Sequence, residues 1–89
     1  MIEIKVRLFG TFRKYKVEGE SILLNSKEPI TVSGLKKLLE ARFKEVIPNF
    51  SDSQLIEDSA IADESQVLSL HHVIQSSCTL LILPPVCGG

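Results

Sequence analysis

The residues best placed to do chemistry lie together at the end of the chain. They read Pro84-Pro85-Val86-Cys87-Gly88-Gly89 and directly follow an apolar run. Six extended residues reach roughly 20 Å at about 3.3 Å each. The two prolines hold the base of that reach extended. The two glycines carry no Cβ, so they fit a channel too narrow for any side chain. A tail of this kind delivers its last group, the carboxylate of Gly89, deep into another protein's active site. At a glycine usage of about 7%, two glycines end a random chain only about once in 200, which favours this reading over a frayed terminus.

Other chemistry-bearing residues offer less. Cys78 and Cys87 are too few for a disulfide framework and point to a reducing compartment, with the cytoplasm as the expected location. With the adjacent pair His71-His72 they match no common zinc spacing, so no metal site is expected. One histidine is expected to be solvated and the other half-buried, and Cys78 belongs to the core. Serine, histidine and aspartate occur without a nucleophile motif around them. The five glycines, at 10, 19, 34, 88 and 89, form no phosphate-binding loop. Phe9 and Phe12 are candidates for an apolar docking patch near the exposed side of a sheet, with core packing the plainer role for at least one of them.

The elements that must hold the tail out follow from the hydrophobic pattern. Eighty-nine residues make one domain. Hydrophobic residues at 44% and charged residues at 24% are ordinary for a globular protein, and no apolar run is long enough to span a bilayer. Residues 2–9 alternate, with Ile2, Ile4, Val6 and Leu8 on one side and Glu3, Lys5 and Arg7 on the other. This is a strand with one buried face and not a signal peptide. A second strand fits residues 20–24. From Thr31, the residues Val32, Leu35, Leu38, Leu39, Phe43 and Val46 recur at helical spacing, with Lys36, Lys37, Glu40 and Lys44 opposite. Thr31 or Ser33 caps the helix, and Pro48 stops it. Residues 48–59 read as a polar loop with a short turn near 53–57. Short strands at 60–62 and 66–68 precede a last strand at 79–83, apolar on both phases and so covered on both faces or central in its sheet. The order β-β-α-β-β-β, with one main helix on a small mixed sheet, is an α+β domain over residues 1–83, followed by the tail at 84–89. If the first and last strands are central neighbours, the arrangement is the β-grasp.

Net charge is −1, yet all ten Lys and Arg lie between Lys5 and Lys44, and six of the eleven acids follow from Glu45. Two solvated faces explain this most simply; an acidic surface near the tail that steers docking is the sharper alternative. The bases are interleaved with Glu3, Glu18, Glu20, Glu28 and Glu40, and Tyr15 has no clustered aromatic companions, so nucleic-acid binding is not expected.

The terminal Leu83-Pro84-Pro85-Val86-Cys87-Gly88-Gly89 resembles the C-terminus of the small subunit of molybdopterin synthase and its sulfur-carrier relatives, including the thiamine-pathway carrier. The segments Val6-Arg7-Leu8-Phe9-Gly10-Thr11-Phe12-Arg13 and Thr31-Val32-Ser33-Gly34-Leu35 fit the same family. The resemblance departs where the family has Asp-Gly-Asp before the last strand, since this chain has Ser76-Ser77-Cys78. It departs again at Cys87, where Ala or Ser is usual; a small side chain packed at the tail's exit is its plainer role, and sulfur shuttling the sharper one.

The resemblance implies a β-grasp fold and a C-terminal glycine carried as a thiocarboxylate. A ubiquitin-activating-like adenylating enzyme would spend ATP, with Mg²⁺, on Gly89, and a sulfur donor system would supply a persulfide. The large subunit of molybdopterin synthase would provide the pocket in which sulfur reaches the pterin precursor. The carrier itself would hold no cofactor. A carrier for thiamine or another pathway, a protein modifier joined through Gly89 to lysine, and an interaction module without chemistry remain alternatives.

Overall fold

The first and last strands lie side by side at the centre of the sheet. The structure, a computed structural model, describes residues 1–85. Strand β1 (Ile2–Leu8) pairs antiparallel with β2 (Ser21–Ser26) on one side and parallel with β7 (Cys78–Leu83) on the other. Beyond β7 come β4 (Ala60–Ala62) and β5 (Val67–Leu68), giving the order β2-β1-β7-β4-β5. The alternation of β1 is realised residue for residue: Ile2, Ile4, Val6 and Leu8 are buried, while Glu3, Lys5 and Arg7 are exposed. This is the β-grasp arrangement expected from the sequence.

Helix α1 (Val32–Val46) lies across the buried face. Thr31 caps it, its Oγ1 accepting the Gly34 N–H at 3.1 Å. The helix ends before Pro48, with Ile47 in the extended conformation that a following proline imposes. Gly34 lowers helix propensity, but a Cβ there would stand 2.9 Å from Cγ1 of Ile30, so the close approach requires glycine. Val32, Leu35, Leu39 and Phe43 are fully buried, whereas Leu38 and Val46 mark the exposed margins of the stripe.

Several elements go beyond the expected order. Ile30 and Thr31 form a two-residue strand, β3, paired with β6 (Val73–Ile74) in a separate two-stranded sheet. Strands this short carry too little periodicity to show in a sequence. The turn expected near 53–57 is a short helix, α2 (Ser53–Asp58), capped by Asp52. The segment after β1 is a 3-10 helix, Gly10–Tyr15, that drives Phe12 into the core. There Phe12, Phe43, Phe50 and Tyr15 meet, with ring centroids 5.7 Å apart for Phe12–Phe43 and 5.4 Å for Tyr15–Phe50. Tyr15 therefore has aromatic companions, brought from distant parts of the chain and turned inward.

Lys36 also departs from expectation. Its Nζ turns from solvent to donate to the carbonyls of Glu57 (3.0 Å) and Ser59 (2.6 Å), tying α1 to the end of α2. Loss of hydration lowers its pKa, opposed by the carboxylates of Asp58 and Glu57.

Candidate functional site: the strand end that bears the tail

The parallel pairing of β1 with β7 brings both strands out at one edge of the sheet. Leu8 stands opposite Ile82, so Phe9 and Gly10 leave β1 beside Leu83 and Pro84 leaving β7. On the far side of β7, Ala60 pairs with Leu83 and Ala62 with Leu81. The base of the tail is thus held by pairing on both flanks through Ile82 and on the β4 flank alone at Leu83. Pro84 then ends the ladder, because proline has no N–H to donate.

Gly10 meets the tail directly. Its φ is +57°, a left-handed conformation that glycine adopts without a steric penalty. A Cβ at this position would lie 2.8 Å from Cγ of Pro84 and 3.4 Å from its Cδ. Pro84 and Pro85 are half-buried. Val86, Cys87, Gly88 and Gly89, the remaining tail residues singled out in the sequence, lie outside the described residues.

Beside the tail the sheet shows its second face. The parity that buries Leu80 and Ile82 against α1 turns Leu81 and Leu83 the other way, where both are half-buried. The strand is therefore central in its sheet but covered by a helix on one face alone among the described residues. Cross-strand pairing sets Arg7, Leu81, Ala62 and Val67 in one row on this second face, where Arg7 and Val67 are exposed (Val67 63%), Leu81 is half-buried and Ala62 is buried between its neighbours. Phe9 closes the patch at the tail's edge. Its ring is half-buried and flanked by the guanidinium groups of Arg7 and Arg13, each 5.6 Å from the centroid. Arg13 also pairs with Glu20 at 2.8 Å.

Of the two phenylalanines named from sequence, then, only Phe9 reaches this surface. Phe12 is completely buried and belongs to the core. The patch instead gains Leu81, Leu83 and Val67, which strand parity alone could have revealed once both neighbours of β7 were known.

The charge beside the tail is basic, from Arg7 and Arg13. The acids Asp63 and Glu64 sit at the opposite end of β7, close to Thr79. Asp63 accepts the backbone N–H groups of Ser65 (2.7 Å) and Gln66 (2.8 Å), and these bonds hold its carboxyl below the usual pKa. An acidic surface at the tail is not formed by these residues.

Cys78 is half-buried at the start of β7, and its thiol pKa is raised by burial and then by Asp63. Beside it Ser77, standing where the resembled family has a glycine between two aspartates, accepts the Glu3 N–H at 2.9 Å through its Oγ. The altered turn thereby fastens the start of β1. His71 and His72 are both exposed. Among the described residues, no group of three or more His, Cys, Asp or Glu is placed to hold a metal ion.

A central parallel pair formed by the first and last strands, one helix across one face and a tail leaving the sheet edge define a ubiquitin-like β-grasp protein. The crystal structure of the small archaeal modifier protein 1 of Haloferax volcanii shares this fold at a TM-score of 0.68 and 14% identity, covering 97% of this chain and 100% of that one. One chain in the structure of the complex of subunits 1 and 2 of the molybdopterin-converting factor of Helicobacter pylori matches at a TM-score of 0.55 and 22% identity, covering 99% of this chain and 100% of that one. Within the fold class the chain belongs to the ThiS family, whose profile matches residues 6–89. It is 33% identical over 82 residues to the molybdopterin synthase sulfur carrier subunit of Synechococcus elongatus, covering 91% of this chain and 90% of that one.

Proposed function

We propose that this chain is the sulfur-carrying small subunit of a molybdopterin synthase, working through the carboxyl group of Gly89. One observation carries the reading. The family match runs through the whole tail to residue 89, and the fold places the base of that tail at a sheet edge, beyond the last buried position of β7. A relative that is one-third identical over nearly all of both chains bears the same function in its name.

The chemistry follows from the weakness of a carboxylate as an electrophile. An adenylating enzyme, using ATP and Mg²⁺ of its own, joins the Gly89 carboxylate to AMP and releases pyrophosphate. The terminal sulfur of a persulfide attacks the acyl carbon and AMP leaves. That attack forms a carbon–sulfur bond; a thiol then cleaves the sulfur–sulfur bond carried over from the persulfide, so that a disulfide departs and the thiocarboxylate remains on Gly89. That sulfur anion is the nucleophile toward the pterin precursor, in a pocket supplied by the large subunit. Water finally cleaves the bond between the Gly89 acyl carbon and sulfur, so that sulfur stays on the pterin and the carboxylate is regenerated. This chain contributes no general acid or base; it supplies the sulfur and its reach.

The open face around Phe9, Leu81, Leu83 and Val67 is the docking surface that goes with the tail. It is apolar, contiguous with the tail's base and bordered by Arg7 and Arg13. A partner must therefore bring an apolar patch with acidic groups at its rim.

The test is activation in vitro with the cognate adenylating enzyme and ATP. ATP–pyrophosphate exchange is expected with the wild-type chain. After a persulfide donor is added, intact mass should rise by the difference between sulfur and oxygen. Absence of exchange overturns the reading. Lysine-linked conjugates in place of the mass increase would make the chain a modifier.

A further inference from the structure

We infer that Gly10 is a positioning residue for sulfur transfer, because it forms a side-chain-free seat for the ring of Pro84 and thereby fixes the direction in which the tail leaves the sheet. The inference rests on the proposed tail chemistry, and nothing in the tail motif itself points to Gly10.

Two independent constraints fall on this one residue. Its φ of +57° is left-handed, and the space where its Cβ would stand is taken by Pro84, 2.8 Å from Cγ and 3.4 Å from Cδ. A turn alone would require only the first, which asparagine also tolerates. The second depends on Pro84. Its ring is closed onto its own backbone nitrogen, so it cannot swing aside as a long side chain does. A Cβ at position 10 would press on a ring tied to the backbone of residue 84, so either the ring with its backbone or the turn at residue 10 has to shift.

The seat lies where such a displacement matters most. Upstream, β7 is clamped between β1 and β4, with Leu83 paired to Ala60. Downstream, five residues separate Pro84 from the reacting carboxyl and span at most about 17 Å. For a tail drawn out fully, as entry into a narrow channel requires, a rotation of about 10° at the base moves the far end by about 3 Å. A misplacement of about 1 Å at a reacting centre can cost about a hundredfold in rate. The docking face at Phe9 and Leu81 lies upstream of the pivot, so loss of the seat should leave recognition intact while the carboxyl arrives misaligned.

The experiment measures kcat and KM for activation by the adenylating enzyme with the full chain and three variants: Gly10→Asn, Pro84→Ala and both together. Asparagine keeps the left-handed backbone accessible, so the added Cβ is the change that counts. Gly10→Asn should lower kcat about tenfold or more with KM within about twofold of wild type. In the Pro84→Ala background, which removes Cγ and Cδ, the same substitution should change kcat by less than about twofold. A wild-type kcat for Gly10→Asn overturns the inference, as does an equal loss in both backgrounds.

Should Gly10→Asn fail to fold, Pro84→Ala alone decides: emptying the seat from the tail side must lower kcat at unchanged KM, and a wild-type kcat overturns the claim. A nuclear Overhauser contact between the α protons of Gly10 and the ring protons of Pro84 gives a readout without activity. It is expected in the wild-type chain, and its absence there overturns the seat. Failure of the wild-type chain to be activated at all defeats the functional reading and the role of Gly10 with it; failure of the Gly10 variants alone defeats only the latter.

Discussion

At Phe9 two guanidinium groups and an aromatic ring meet beside the tail, and the two arginines are not equivalent. Arg13 is engaged with Glu20, whereas Arg7 makes no salt bridge among the described residues. Arg7 therefore presents the less compensated charge to a partner. Arg7→Ala should raise the KM for the adenylating enzyme severalfold and leave kcat unchanged, and the wild-type KM should rise with added salt as the charge is screened. Steady-state kinetics at two ionic strengths checks both. Asp63 affords a second test. Its folded pKa is lowered by the two backbone N–H groups it accepts. The stability it contributes is therefore complete above the ordinary carboxylate pKa of about 4 and is lost as pH falls through the lowered folded value. Denaturation midpoints of wild type and Asp63→Ala should differ at pH 7 and converge in acid.

The elements were legible in the sequence in proportion to their length. The seven-residue alternation of β1 and the fifteen-residue stripe of α1 each repeat their period often enough to be read, and both stand as expected. Strands β3 and β6, at two residues each, do not repeat a period at all. Nor could local pattern show that Lys36, on the polar face of α1, would be drawn to the end of α2. Phe12 was ambiguous for a related reason. The run Gly10 to Lys14 reads as a turn, and only its 3-10 geometry carries Phe12 against Phe43. Phe12→Ala should cost about 3–5 kcal/mol by emptying a fully buried site, measurable by chemical denaturation. Of the candidate site, the glycine tail is a sequence reading alone, since its residues are contiguous and Val86 to Gly89 lie outside the described residues. The open face was not, because it depends on which strands flank β7.

At the scale of the domain, the buried hydrophobic residues among those described all lie between Ile2 and Ile82, so the described core precedes the tail. Removing Gly88-Gly89 should leave the melting temperature within a degree or two while abolishing activation. Calorimetry and pyrophosphate exchange on the same preparation separate the two effects.

The neighbouring of β1 and β7 has a further consequence for synthesis. The hydrogen bond from Glu3 to Ser77 spans 74 positions, and β7, which completes the middle of the sheet, is made after every other described strand. A chain still emerging from the ribosome holds β1 with an empty flank and cannot close the fold until β7 is free. The central pair of the described domain therefore cannot form piecemeal: β1 waits for a strand encoded about seventy positions later, and the core closes only when that strand arrives.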